Sequence, residues 1–173
     1  MTVVQAVFVE RREFRMSVIE EVENAHLLVI QTLDNLPELE WDMPIAENSW
    51  TVKEIVAHLA SYEHLLVDIC HIALHDSSST PYATQFAEQG ADFNQTQVAA
   101  YSNHTAQQVI DEFEEVQAEV TGLLAQIPAE TLEKKGILPV RAERSLSDFV
   151  SVLSEHIRRH CDEIKAFRNR EKQ

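Results

Sequence analysis

Two imidazoles interrupt an apolar stripe near the end of the chain. In SLSDFVSVLSEHIRRHCDEIKAFR, residues Leu146, Phe149, Val150, Leu153, Ile157, Ile164 and Phe167 recur at helical spacing and share one face. His156 and His160 fall on that same face, between Leu153 and Ile164. A buried ring nitrogen without a hydrogen-bond partner costs roughly 1–3 kcal/mol, so two inward histidines require either several buried partners or one shared partner. A metal ion is the simplest shared partner. Residues four apart on a helix lie one above the other, and each can offer a nitrogen to the same ion. A catalytic site of the zinc type uses three protein ligands and keeps one position open, so a third histidine is expected on the inner face of another helix.

The segment WTVKEIVAHLASYEHLLVDICHIALH supplies four candidates. His58 lies on the shoulder of its apolar face, beside Tyr62, Leu65 and Ile69, and is the natural third ligand for His156 and His160. His64, His71 and His75 fall with Asp68, Lys53 and Ser61 on the opposite side, which reads as a solvated polar face rather than a second ion site. Glu63 is out of pattern, a carboxylate between Val56 and Cys70. It pairs with a cation from a neighbouring helix or reaches water at an edge. The alternative for the three inward histidines is a set of core side chains satisfied by backbone carbonyls and waters.

Other chemistries find little support. Glu23 and His26 form one Glu-x-x-His, half of a ferritin-like di-iron pattern, and no second copy follows. The three glycines, Gly90, Gly122 and Gly136, are isolated, so no phosphate-cradling loop or dinucleotide fingerprint can be built. A formal net charge of −15 repels a nucleic-acid backbone or an anionic membrane surface. MTVVQAVFVERREF turns to charge too early for a signal peptide, and no apolar run reaches membrane length, so a soluble cytoplasmic protein is expected. Cys70 and Cys161 then read as free buried thiols without a catalytic role.

The elements that must position these side chains are helices. At 173 residues, one domain spanning the chain suffices. A first helix is predicted from about Glu10 to Leu36, with Phe14, Val18, Val22, Ala25, Val29 and Leu33 inward and Pro37 beyond it; residues 1 to 9 are undecided between extended and helical. The second starts at Thr51, where Glu54 completes a capping box and Trp50 can staple onto Ile55, and runs to about His75. DSSSTPYATQFAEQG, from Asp76 to Gly90, is the longest irregular stretch and the expected mobile lid. A short helix from Phe93 or Asn94 to Tyr101 follows. Thr105 with Gln108 starts the third long helix, which Pro128 stops, and Ser145 starts the fourth. The long connection between the second and third helices can cross a bundle, so those two can run parallel.

With these residues in place, the chain resembles the DinB/YfiT-like family of metalloenzymes over most of its length. The matching segments are NSWTVKEIVAHLASYEH, the DFNQ before the third long helix, and SLSDFVSVLSEHIRRH. The resemblance implies an all-α four-helix bundle in up-down-down-up order, a homodimer, and a divalent ion, Zn or Ni, on His58, His156 and His160. It further implies a small-molecule substrate, with a low-molecular-weight thiol as co-substrate of an S-transferase. A hydrolase and a non-catalytic binding bundle are the alternatives. Three neutral imidazoles leave an open position at which a thiol or a water loses its proton. Tyr62, one turn beyond His58, is the candidate hydroxyl of the pocket wall.

Overall fold

The computed structural model describes residues 3–139 and 141–171, with side-chain surroundings from Val9 onward. The first helix, α1 (Val3–Leu33), buries Val18, Val22, Ala25, Val29 and Leu33 on one face. The undecided N-terminal stretch is helical from Val3 on, and residues 1 and 2 lie outside the described residues. α1 stops at Leu33, short of Leu36, because Asn35 takes a left-handed conformation with φ 53°. A tight helical turn at Glu38–Asp42 buries Trp41, and the loop beyond it closes where Ile45 N–H donates to Trp50 O at 3.0 Å.

α2 (Val52–Leu74) begins with the expected capping box: Glu54 N–H donates to Thr51 Oγ1 at 3.2 Å, and Thr51 N–H to Glu54 Oε2 at 2.8 Å. His75 ends it in the left-handed region with φ 54°. The crossover holds α3 (Pro81–Gln89) and α4 (Phe93–Ala100). α5 (Ala106–Leu124) starts with a second box from Thr105 and Gln108, and the single turn α6 (Ala129–Leu132) follows Pro128. α7 (Leu146–Glu171) is capped by Ser145, whose N–H donates to Asp148 Oδ2 at 3.0 Å while its Oγ accepts from Asp148 N–H at 3.1 Å. Among the described residues there is no strand, and no helix is long and apolar enough to cross a membrane.

Side-chain pairs fix the directions of the four long helices. Glu21 meets Ser151 and Arg158, and Arg168 donates to the carbonyl oxygens of Thr32 and Asp34, so α1 and α7 run parallel. His64 meets Glu112 and His71 lies 3.9 Å from Glu119, so α2 and α5 run parallel too. Tyr62 and His58 face His156 and His160 in reversed order, which sets α2 antiparallel to α7. An apolar core drawn from all four, including Val29, Leu59, Leu66, Phe113, Val120, Ile157 and Phe167, fills the centre.

Three expectations for α2 and its crossover need correction. The side opposite the histidine face is not solvated: Ser61 and Asp68 are buried, because the crossover helices and α5 pack over it. Asp68 Oδ2 accepts the N–H of Ala83 at 2.9 Å, and the His64 ring stacks on Tyr82 with centroids 4.6 Å apart. His64 and His71 are half-buried there, and His75 is exposed at the helix end. The Asp76 to Gly90 stretch is irregular only to Thr80, since Pro81 at the first helical position starts α3. Glu63 neither meets a cation within 4 Å among the described residues nor reaches water. It is 1% exposed, its Oε2 has no hydrogen-bond partner, and burial pushes its pKa up to about 7.

Candidate metal centre

Two caps set the positions of the three inward histidines. The Thr51 box places His58 about two turns into α2, and the Ser145 cap starts the helix on which His156 and His160 stand one turn apart. The antiparallel packing of α2 on α7 then brings the rings together. His58 Nε2 lies 3.1 Å from His156 Nε2, which lies 3.0 Å from His160 Nε2. One ligand atom from each of the three falls within 4.8 Å of the others.

The residues fit a divalent ion. His160 Nδ1–H donates to Glu163 Oε2 at 2.8 Å, so its Nε2 carries a lone pair aimed at the cluster. A single N–H on His156 can serve only one of its two neighbours and would leave the other lone pair without a partner, whereas one ion accepts all three. His58 Nδ1 is buried without a hydrogen-bond partner, so the ring is not anchored by its outer nitrogen. Burial and the positive charges of His156, His160 and Arg159 bring the His58 pKa down to about 3. Burial, then His160 and Arg159, bring His156 down to about 4. His160 is also lowered by burial, against the opposing pull of Glu163. Neutral imidazole is the ligating form, and three of them suit zinc, nickel, copper or iron.

Aromatic rings enclose the cluster. Trp50 packs on His58 with centroids 4.7 Å apart, and Tyr62 stands edge-on to His58 at 5.0 Å and to His156 at 5.1 Å. Tyr62 donates its hydroxyl to Asn94 Oδ1 at 3.1 Å. Phe86 and Phe93, both from the crossover, flank its ring. A cavity of about 570 Å³ opens beside His156, walled by Tyr62, Phe86, Asn94 and Phe149. A smaller one of about 270 Å³ meets His160 and Glu163 near Trp50.

The structure brings together the four residues that the sequence singles out, His58, Tyr62, His156 and His160, and surrounds them with supports that their helical phases do not announce. Glu163 was legible, as an acidic residue one turn beyond His160 and free to accept from its outer nitrogen. In the sequence Trp50 has the position of a helix staple, and its contact with His58 follows from the loop that Ile45 N–H and Trp50 O close. Phe86 carried no signal, because its segment read as irregular. His26 is outside the site, stacked on Phe113 of α5 with centroids 4.7 Å apart, and His64, His71 and His75 do not join the cluster.

Comparison with curated proteins and with solved structures returns no significant match. The family model described as the DinB superfamily matches residues 21–164, a span that includes α2 and all three histidines. Three clustered imidazoles on a helical bundle of this order, within a match that covers most of the chain, lead to one assignment: the chain belongs to the DinB superfamily.

Proposed function

We propose that this protein is a metal-dependent enzyme, a small-thiol S-transferase acting on an electrophilic small molecule. The observation that carries the reading is the convergence of three Nε2 atoms at the edge of a cavity of about 570 Å³. The DinB superfamily is often metal-binding, which agrees with it. A divalent ion held by His58, His156 and His160 supplies a Lewis acid that lowers the pKa of a thiol or water at its open position.

The chain's own residues do the rest. Glu163 orients the His160 ring, and Trp50 and Tyr62 confine the His58 ring between them. Burial raises the Tyr62 pKa, so the hydroxyl stays protonated and its proton holds Asn94 Oδ1 at the cavity wall. Phe86, Phe149 and Leu153 give the cavity an apolar side against which the body of a substrate can pack. Among the described residues lining the cavity the one carboxylate is Glu155, which pairs with Arg158 at 2.8 Å. Thiol transfer and hydrolysis would use the same three histidines, so the assay below separates them.

Conjugation of a small thiol to monochlorobimane, followed by fluorescence, tests the reading. Zinc- or nickel-loaded protein should accelerate it, and metal-free protein and His156→Ala should not. Ester hydrolysis without thiol consumption would replace the transferase reading with a hydrolase. Turnover that persists in fully metal-free protein would end both.

A further inference from the structure

The wall of the larger cavity is basic in a protein that is otherwise strongly acidic. The chain has 14 Lys and Arg against 29 Asp and Glu, yet Arg141, Arg144 and Arg159 all line this one space. Arg159 stands one helical turn beyond His156, and Arg141 and Arg144 come from the loop that leads into α7. None of the three lies within 4 Å of a carboxylate among the described residues, although Arg11, Arg158, Lys53 and Lys165 do. The smaller cavity on the other side of the histidines offers Asn48, Ser49 and Glu163 and no cation.

Arg141 and Arg159 are exposed and Arg144 is half-buried, so their charges stand at the mouth of the cavity. Three like charges turned on one concave space raise the positive potential there and attract an anion. Phe86, Phe149, Val152 and Leu153 supply apolar surface in the same cavity as the arginines and His156. The volume falls in the range of small-molecule sites and is too small for a folded partner.

We infer that this cavity binds a small organic anion, a carboxylate or an equivalent acid on an apolar body, with Arg144 and Arg159 gripping the charged end and Phe86 and Phe149 the apolar part. Arg141 adds to the same field from the loop. This deepens the proposed function and rests on it for which atom of the ligand reacts; the binding itself needs no ion. The charge can reside on the electrophile or on the thiol, and binding of a thiol-free acid distinguishes the two.

The test uses the full chain, metal-free and zinc-loaded, with hydrocinnamate and its neutral counterpart hydrocinnamyl alcohol as probes in calorimetric titrations. Metal-free protein should bind hydrocinnamate at least about tenfold more tightly than the alcohol, as expected for a charge-assisted contact. The preference should weaken with salt, vanish in the Arg144→Gln, Arg159→Gln double variant and survive in part in Arg159→Lys. Equal affinity for the two probes, or a preference that persists in the double variant, overturns the inference. If the double variant loses helicity, Arg159→Gln alone and the salt series decide by the same criterion. Zinc uptake is measured separately, so a chain that takes up no zinc but prefers the acid contradicts the metal reading and leaves the anion site standing.

Discussion

Glu163 accepts the Nδ1–H of His160 at 2.8 Å from one turn further along α7, and this single contact decides which nitrogen of the ring faces His58 and His156. Outer carboxylates of this kind raise ligand basicity and fix ring orientation. Glu163→Ala should weaken zinc affinity by about 10–100-fold, the usual range for such partners, with helical circular dichroism unchanged. Competition titrations against a chelator read it directly, and unchanged affinity would show that the contact does not orient a ligand.

The lowered histidine pKa values change the expected response to acid. With ordinary values near 6.5, protons would compete at all three rings from about pH 6 downward. His58 at about 3 and His156 at about 4 do not take protons until far lower, and burial lowers His160 as well, against the pull of Glu163. The logarithm of zinc affinity should therefore change by no more than about one unit per pH unit between about pH 7 and 5, and steepen below about pH 4. A slope near three around pH 6 would show that the metal-free rings are solvated.

Much of the site was legible because helical phase is a strong constraint. The 146-to-167 stripe fixed the inward direction of His156 and His160, and the Thr51 capping box fixed the phase of His58. The mistakes fell where tertiary cover, not phase, sets the environment. Asp68 and Ser61 look like a polar face on a wheel, and only the crossover packing that gives Asp68 the N–H of Ala83 shows why they are buried. The same crossover hides Phe86 from sequence reasoning, since α3 is short and announced by little more than Pro81. The four long helices follow the expected order, and α2, α5 and α7 start at their expected caps, whereas α1 begins at Val3 rather than near Glu10.

Glu63 makes a stability prediction with a definite sign. Its pKa rises from 4.5 in the unfolded chain to about 7 in the fold, so the native state binds the extra proton, and the stability this group confers is present below about pH 4.5 and lost as pH rises through about 7. At 1.36 kcal/mol per unit, the cost is roughly 3 kcal/mol by about pH 8. Glu63→Gln should be more stable than the parent by that order at about pH 8, and little different at about pH 4. Urea denaturation of both proteins at the two pH values checks it. A variant less stable than the parent at high pH would mean that the carboxylate has a partner in solution.

The most direct test of the metal-centred account is elemental analysis of protein purified without an affinity tag, alongside His156→Ala and the triple replacement of His64, His71 and His75. The expected result is close to one divalent ion per chain in the parent and in the triple variant, with the ion lost in His156→Ala. A metal-free parent that resists loading with zinc or nickel, or an ion retained in His156→Ala and lost in the triple variant, would contradict the assignment of His58, His156 and His160 as its ligands.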